Sequence, residues 1–386
     1  MPQRGGDAGC LYHSVCSSIN NNQKLKSKAL RVPKSCAKSN SNHKPDIKIK
    51  MTDKNNGVKP LLKDSFSRHL NYLRISVTDR CNLQCMYCRR THPFLKLSHH
   101  NILRYEEILR VLNIAVQMGI SKVRITGGEP LVRKGIFDFI KQIHKIKGLQ
   151  EISMTTNGVL LEQYAEKLLK AGIQRINVSL DTLNREKFIH INGFDYWHQV
   201  WKGIEKANQL GMYPIKINIV AMRGINDDEI QAFGRLSQET PYIIRFIEYM
   251  PIGQSDMYTQ YSISSQEIKQ QLESIGKLYK IHSSMHDGPA EQFHWVDSPG
   301  TIGLIHPMSH HFCQTCNRLR LTADGNLRPC LLSTIQIDLK KALREGGTDQ
   351  DIMTLVEKAV LHKPHHHGVI DSFPNGFPGQ MNAIGG

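Results

Sequence analysis

The stretch from Tyr72 to Cys88, YLRISVTDRCNLQCMYC, joins a strand-like apolar segment directly to three closely spaced cysteines. Cys81, Cys85 and Cys88 follow the strand predicted over Tyr72–Thr78 with the spacing C-x3-C-x2-C. Three thiolates on one compact loop can bind three irons of a 4Fe–4S cluster and leave the fourth iron open to another ligand. Zinc is the alternative, but it usually takes four ligands in paired C-x2-C spacings. The spacing therefore favours a cluster with one open coordination position.

Strand-like and helix-like segments alternate after this loop. Apolar residues at helical spacing predict a helix over Tyr105–Met118, capped by Gly119. Regular alternation of strands and helices predicts an α/β fold with a parallel sheet. Six units are too few for an eight-fold barrel, so we expect a partial (β/α)6 TIM-like barrel with its chemistry at the C-terminal ends of the strands. The predicted strands are Tyr72–Thr78, Lys122–Thr126, Glu151–Thr156, Arg175–Leu180, Pro214–Met222 and Tyr242–Glu248.

Composition divides the chain into three parts. Residues 1–65 are rich in Ser, Asn, Lys and Gln, and we expect them to form a disordered basic tail. Residues 66–255 contain the predicted barrel, and residues 256–386 form a C-terminal extension with a second cysteine set. No apolar run reaches the roughly 18 residues that a membrane-spanning helix needs, so we expect no contact with a bilayer.

The basic tail also accounts for most of the net charge. Of the chain's +16, a net +10 lies within residues 1–70, which leaves a modest excess that suits a small phosphate-bearing substrate as well as a polynucleotide. A basic, Ser-rich, acid-poor segment is typical of an organellar transit peptide and predicts the mitochondrial matrix, with a solvated tail as the alternative. The scattered Cys10, Cys16 and Cys36 are expected neither to bind metal nor to take part in chemistry.

Gly127-Gly128-Glu129-Pro130 ends the second predicted strand. Alone this is only a good turn sequence. Together with the cysteine loop, and with Tyr87 before its last cysteine, it resembles the radical S-adenosylmethionine (SAM) superfamily. The resemblance implies that SAM binds the open iron and is cleaved by one electron to a 5′-deoxyadenosyl radical. It assigns SAM contacts to Tyr87, Gly128, Ser179 and Met250.

A second cysteine set, Cys313, Cys316 and Cys330, lies in the stretch CQTCNRLRLTADGNLRPC. The Asp324-Gly325 turn predicts a hairpin that returns Cys330 to the C-x2-C pair. A zinc site completed by His310 or His311 is the alternative. The whole stretch resembles the GTP 3′,8-cyclase family of molybdenum-cofactor biosynthesis, in its organellar type. That resemblance implies a second 4Fe–4S cluster, whose open iron contacts the guanine of GTP.

The same resemblance assigns the substrate contacts. Arginine forks and lysine point charges are how proteins hold polyphosphates, although each such residue alone would more often be a solvated surface charge. In the family the C-terminal diglycine enters the active site, which implies catalytic roles for Gly385 and Gly386 beside Arg318 and Arg320. The implied GTP contacts are Arg74, Arg124, Thr155, Lys216, Arg318, Leu319 and Arg320.

The implied reaction is hydrogen abstraction from C3′ of GTP followed by attack of the ribose radical on C8. The implied partners are cyclic pyranopterin monophosphate synthase downstream and a reductase or ferredoxin-type electron donor, and a homodimer is compatible with the sequence. The chain departs from the family at Arg89-Arg90, where Met-Pro is usual, and at Leu332, where Phe is usual. A radical SAM enzyme acting on a peptide is one alternative. A zinc-binding nucleic-acid protein is another, although aromatic residues are only 7% and are not interleaved with the basic run.

Overall fold

The computed structural model describes residues 62–88, 96–252, 256–281, 288–309, 312–367 and 381–385. Most of the predicted tail therefore lies outside the described residues. So do several positions named above, which are Cys10, Cys16, Cys36, Arg89, Arg90, His310, His311 and Gly386.

The strands of the described residues form one sheet. The six predicted strands are confirmed to within two residues, and together with six later strands they are β1 Tyr72–Ser76, β2 Lys122–Thr126, β3 Glu151–Thr156, β4 Arg175–Ser179, β5 Ile215–Ala221, β6 Ile243–Glu248, β7 Tyr279–Ile281, β8 Glu291–His294, β9 Thr301–Ile305, β10 Arg318–Leu321, β11 Asn326–Arg328 and β12 Ile337–Asp338. Their order across the sheet is β12-β11-β10-β1-β2-β3-β4-β5-β6-β9-β8-β7. Strands β1 to β6 are parallel and consecutive, which is the predicted partial barrel-like arrangement.

Helices connect these strands and cover their apolar faces. The helix predicted over Tyr105–Met118 is observed over Tyr105–Gln117, and Gly119 (φ +113°) lies just beyond its end. The left-handed backbone of Gly119 lets Ile120 N–H donate to Ala115 O at 2.9 Å, so the predicted cap is confirmed. None of the helices in the described part of the chain has both the length and the apolar character needed to cross a bilayer. The helices are α1 Tyr105–Gln117, α2 Ile136–His144, α3 Leu161–Ala171, α4 Arg185–Asn192, α5 Trp197–Gln209, α6 Ile230–Glu239, α7 Asp256–Tyr261, α8 Ser265–Glu273, α9 Lys340–Arg344, α10 Asp349–Leu361 and α11 Met381–Ile384.

The C-terminal extension adds strands to both edges of the barrel sheet. Strand β9 pairs in parallel with β6, and β10 pairs in parallel with β1. Strands β10 and β11 are antiparallel and turn at Gly325 (φ +87°), so the predicted hairpin is confirmed. The sequence did not reveal that this hairpin pairs with β1.

This pairing separates the two cysteine sets. Cys81 lies beyond the C-terminal end of β1, whereas Cys316 lies just before the N-terminal end of the parallel strand β10. The sets therefore lie at opposite ends of the strands, separated by at least the length of β10, about 13 Å at about 3.3 Å per residue. The expectation that every motif sits at the C-terminal strand ends was wrong for the second set, because strand direction depends on pairing that the sequence does not show.

The segment before β1 packs against the barrel. Leu62 and Leu70 are 7% and 1% exposed, and Asp64 is also buried. Leu70 N–H donates to Leu62 O at 2.8 Å, and Leu62 N–H donates to Met118 O at 3.2 Å. Packing therefore begins at least three residues before the boundary expected at residue 65.

This packing predicts unequal effects for two truncations. A chain beginning at Gly57, where the compact unit begins, is expected to be as stable as the full chain. A chain beginning at Asn71 loses two buried leucines, each contributing about 1.5–3 kcal/mol, so its free energy of unfolding should fall by roughly 3–6 kcal/mol. Chemical denaturation of both chains without clusters measures the difference, and equal values would contradict the packing role of residues 62–70.

Candidate active site

The first cysteine loop is held against α4 by its own backbone. Gln84 N–H donates to Asn192 O at 3.0 Å, and Met86 N–H donates to Ile191 O at 2.8 Å. The buried Asn192 also accepts a hydrogen bond from Cys85 Sγ at 3.0 Å. Helix α4 therefore fixes both the path of the loop and the position of its central thiol.

The three thiols of this loop are close enough to influence one another. Burial raises the pKa of the Cys85 thiol well above its ordinary value, and Cys88 and Cys81 raise it further. Buried, mutually repelling thiolates need a strong positive charge beside them, which the irons of a cluster supply. In the described ranges, no three His, Cys, Asp or Glu side chains converge on a point for a single metal ion. A cluster does not need such a point, because each thiolate binds a different iron, so the donor set fits.

The GGEP loop lies directly against the start of the cysteine loop. Gly128 N–H donates to Thr78 O at 2.7 Å, and Glu129 N–H donates to Arg80 O at 2.8 Å. Gly127 has a φ of +153°, and a Cβ added to Gly128 would come within 2.7 Å of the Arg80 carbonyl carbon. Only glycine permits this approach, which places the backbone of the predicted SAM motif beside the first cysteine set.

Glu129 links this loop to the end of β3, a role that the sequence did not predict. Its buried carboxylate accepts hydrogen bonds from Leu131 N at 3.0 Å, Thr156 Oγ1 at 2.8 Å and Asn157 N at 2.7 Å. Burial raises the pKa of Glu129 to about 7, although these hydrogen bonds oppose the shift. Asn157 Nδ2 in turn donates to Cys81 Sγ at 3.6 Å. One network therefore connects the GGEP loop, β3 and the first cysteine.

The other predicted SAM contacts lie at the same end of the sheet. Ser179 is the last residue of β4, and Met250 follows β6 by two residues; both are partly exposed. The Tyr87 hydroxyl donates to Asp181 Oδ2 at 2.7 Å, and Asp181 Oδ1 accepts from Val220 N at 2.8 Å. Asp181 is buried and was not predicted, although it follows β4 closely in the sequence. It fixes the ring of Tyr87 within the cysteine loop.

The second cysteine set lies at the opposite strand ends, beside buried cations. Cys316 N–H donates to Cys313 O at 3.2 Å, and the β10–β11 hairpin returns the chain to Cys330. Burial alone would raise the pKa of the Cys316 thiol, but Arg318 and Lys363 lower it to about 6. Cys330 and Cys316 both raise the pKa of the Cys313 thiol, so the three thiols lie close together. A thiolate favoured near neutral pH suits a metal ligand, and this second donor set also fits a cluster.

A row of arginines lies between the two cysteine sets. Strand register places Arg320, Arg74 and Arg124 side by side on β10, β1 and β2. Burial lowers the pKa of the Arg74 guanidinium, and Arg320 and Arg124 lower it further. Three guanidinium groups on adjacent parallel strands create a strongly positive surface on this face of the sheet.

The positive surface continues across β3 to β6. Register aligns Thr155, Asn177 and Lys216. Burial lowers the pKa of Lys216 to about 6, with Arg245 the largest electrostatic contribution, while Glu151 acts in the opposite direction. Arg245 is 3% exposed and was missed, although an arginine within the buried strand IIRFIE is itself a signal. An anion bound here would restore the charge of Lys216 and relieve the repulsion between the cations.

Leu319 is a predicted GTP contact whose side chain the structure places elsewhere. Leu319 pairs with Leu73 and is 1% exposed within the hydrophobic core. Arg318 and Arg320 alternate with it along β10, and Arg318 lies over the ring of Phe312 at 4.8 Å. Because side chains alternate along a strand, Leu319 must point away from the face that carries Arg318 and Arg320.

The C-terminal segment reaches the same interior. Gly385 (φ +73°) accepts a hydrogen bond at its carbonyl from Arg320 Nη1 at 2.6 Å. A Cβ added to Gly385 would lie 3.0 Å from Thr126 Cγ2 and 3.2 Å from Ser76 Cβ, at the ends of β2 and β1. Asn382 Nδ2 anchors the segment by donating to Asp79 O at 2.8 Å. The tail thus contacts both the arginine row and the C-terminal strand ends.

Comparison with known proteins agrees with this architecture. A model of the radical SAM superfamily matches residues 75–236, and a model named Molybdenum Cofactor Synthesis C matches residues 242–369. The crystal structure of Streptococcus suis SuiB bound to S-adenosylmethionine superposes with a TM-score of 0.52 and 16% identity, covering 70% of this chain and 63% of that one. At that identity the likeness concerns the fold alone.

Relatives that are more similar in sequence align with this chain over nearly their whole length. The GTP 3′,8-cyclase of Thermodesulfovibrio yellowstonii is 48% identical over 305 residues, which is 78% of this chain and 94% of the relative. That of Heliobacterium modesticaldum is 43% identical over 325 residues, covering 84% and 99%. The structure places the first cysteine set and the GGEP loop at the C-terminal ends of the barrel strands and the second cysteine set at the opposite ends. The C-terminal tail reaches the interior between them. The chain therefore belongs to the GTP 3′,8-cyclase family of radical SAM enzymes.

Proposed function

We propose that this chain is a lyase that converts GTP to (8S)-3′,8-cyclo-7,8-dihydroguanosine 5′-triphosphate, the first step of molybdenum-cofactor biosynthesis. The observation that carries the proposal is the positive interior between the two cysteine sets. A triphosphate needs several convergent cations, and Arg74, Arg124, Lys216 and Arg245 lie on one face of the sheet. A peptide substrate would not require that concentration of positive charge.

The two cysteine sets divide the cofactor binding. Cys81, Cys85 and Cys88 would hold a 4Fe–4S cluster whose open iron binds SAM, and Cys313, Cys316 and Cys330 would hold a second 4Fe–4S cluster whose open iron is available to the substrate. When bound, the first cluster and SAM supply the 5′-deoxyadenosyl radical that abstracts hydrogen from C3′. Because the sets lie at opposite strand ends, a nucleotide between them can face SAM with its ribose and the second set with its base.

The protein's own residues bind, orient and enclose the substrate. Arg318 and Arg320 stand at the second cysteine set, where they hold the nucleotide by planar forks. Gly385, bound to Arg320, covers the ends of β1 and β2 and helps to keep water from the reacting atoms. Tyr87, positioned by Asp181, supports SAM on the other side.

The cellular setting is proposed on sequence grounds. The basic, Ser-rich segment before Leu62 directs the chain to the mitochondrial matrix, which a fluorescent fusion of residues 1–61 tests. A reductase or ferredoxin-type protein donates the electron, and cyclic pyranopterin monophosphate synthase receives the product. A homodimer is compatible with the sequence.

Anaerobic turnover with SAM, dithionite and GTP deuterated at C3′ tests the reaction. We expect deuterium to appear in 5′-deoxyadenosine. The cyclised product should have the mass of unlabelled GTP, because a second electron from dithionite and a solvent proton complete the dihydroguanine ring after the deuterium is lost. ATP deuterated at the same carbon is the control, and it should transfer little label because its base lacks the guanine groups. Cleavage of SAM that ignores GTP and leaves the deuterium in place would contradict the proposed substrate.

A further inference from the structure

Two buried cations reach the second cysteine set from segments outside it. Arg68, in the segment before β1, donates from Nη1 to Cys313 O at 2.7 Å. Lys363, just after α10, donates from Nζ to Arg318 O at 2.8 Å and to Pro329 O at 2.7 Å. Pro329 precedes the third cysteine, and Arg318 follows the second by two residues. Each cysteine-bearing segment therefore has a backbone carbonyl bound by one of these two cations.

Arg68 is also joined to the segment that carries Lys363. Arg68 Nη2 donates to Pro364 O at 2.7 Å and Nη1 donates to His365 O at 3.1 Å, directly after Lys363. Asp64 holds the other side of the guanidinium, with Oδ2 2.5 Å from Arg68 Nε. The segments before β1 and after α10 thus close around the second cysteine set as one unit.

The charge of Lys363 has no carboxylate partner in the described residues. Lys363 is 2% exposed, and the ion pairs among those residues do not include it. Burial lowers its pKa, and the charges that oppose this shift are the thiolates of Cys316 and Cys330. A buried cation is costly unless an anion lies beside it. Its natural counter-charge here is the cysteine set with whatever those thiolates bind.

The charge of Lys363 also bears on electron transfer to a cluster at this set. Reduction adds negative charge to a cluster, so a buried cation beside it favours the reduced state. Lys363 lies within hydrogen-bond distance of the carbonyls of Arg318 and Pro329, which flank Cys316 and Cys330.

We propose that Lys363, together with Arg68, is a positioning residue of the second cysteine set, and that its charge raises the reduction potential of the cluster held there. The inference rests on the second cluster of the proposed function. A cluster at Cys313, Cys316 and Cys330 is therefore easier to reduce with Lys363 than without it.

The test uses the full chain with Cys81, Cys85 and Cys88 replaced by alanine, so that only the second cluster contributes iron and a paramagnetic resonance signal. In this background Lys363→Met is compared with Lys358→Met, a matched change at an exposed lysine of α10. Iron and sulfide content and a redox titration followed by electron paramagnetic resonance are measured after anaerobic reconstitution. For Lys363→Met we expect at least a tenfold smaller equilibrium constant for one-electron reduction, which is about 59 mV more negative.

An unchanged potential in Lys363→Met with full iron would overturn the proposal. If this variant loses iron, Lys363→Gln replaces it, since the neutral glutamine NH2 group retains two N–H donors for the two carbonyls. An unchanged potential in that variant overturns the proposal equally. Loss of iron from both Lys363→Met and Lys363→Gln supports the positioning role if their unfolding temperatures without clusters match that of Lys358→Met. If those temperatures also fall, the loss of iron reflects general destabilisation and the proposal is overturned. A parent background that binds no iron would instead refute the second cluster.

Discussion

Replacing Cys81, Cys85 and Cys88 together by alanine is expected to reduce SAM cleavage to the uncatalysed background. The change removes all the thiolates that can hold the first cluster, and with it the open iron that positions SAM. Iron should fall from about eight to about four per chain, because one of the two proposed 4Fe–4S clusters is lost. Anaerobic iron and sulfide analysis and chromatography of 5′-deoxyadenosine measure both effects.

Alanine at Cys313, Cys316 and Cys330 is the matched control for this experiment. It should remove a similar amount of iron but retain SAM cleavage that is uncoupled from GTP, since the sets lie at opposite ends of the parallel strands β1 and β10. If both triple variants lost SAM cleavage equally, the two sites would not be independent. A chain with about one zinc and no sulfide would refute the cluster assignment altogether.

Replacing Arg318 and Arg320 together by alanine is expected to weaken GTP binding strongly while both clusters remain. Each charge-assisted contact contributes roughly 1.5–3 kcal/mol, or about ten- to a hundredfold in affinity. Lysine at both positions should restore only part of the loss, because a point charge cannot reproduce a planar fork. Isothermal titration of the anaerobic, cluster-replete protein with GTP measures the affinities.

Arg235→Ala, at an exposed position of α6, is the control for loss of positive charge. It should leave GTP affinity within twofold of the parent, as expected for a solvated charge outside the barrel. Arg320 also bonds Gly385, so the double variant loosens the tail as well. Unchanged GTP affinity in Arg318→Ala/Arg320→Ala would limit the arginines to holding the hairpin and the tail.

The placement of the tail shows how local and distant information combine. The sequence ends in two glycines, and resemblance alone suggested that they approach the active site. The structure gives a physical reason at Gly385, since its positive φ and its proximity to Thr126 and Ser76 leave little room for a side chain. Its partner Arg320 lies 65 residues earlier in the chain, a distance over which no periodicity or spacing carries information.

The sequence by itself determined the local elements and the donor sets. Apolar runs rich in Ile and Val marked six strands, Gly119 marked a helix end, and cysteine spacing marked two clusters of thiols. These features depend on neighbouring residues, so a local pattern is enough to reveal them. The hairpin between Cys316 and Cys330 was predictable for the same reason.

Only the tertiary structure decided which of these elements meet. The pairing of β10 with β1 places the second cysteine set opposite the first, and the burial of Arg245 adds a cation that no motif identified. Arg68 reaches the second set from 245 positions before Cys313, and Lys363 reaches it from 45 positions after Arg318. Strand order and buried side-chain contacts result from packing of the whole core, whose free energy is shared among distant residues. A single stretch of sequence therefore cannot specify which strands pair or which side chains meet.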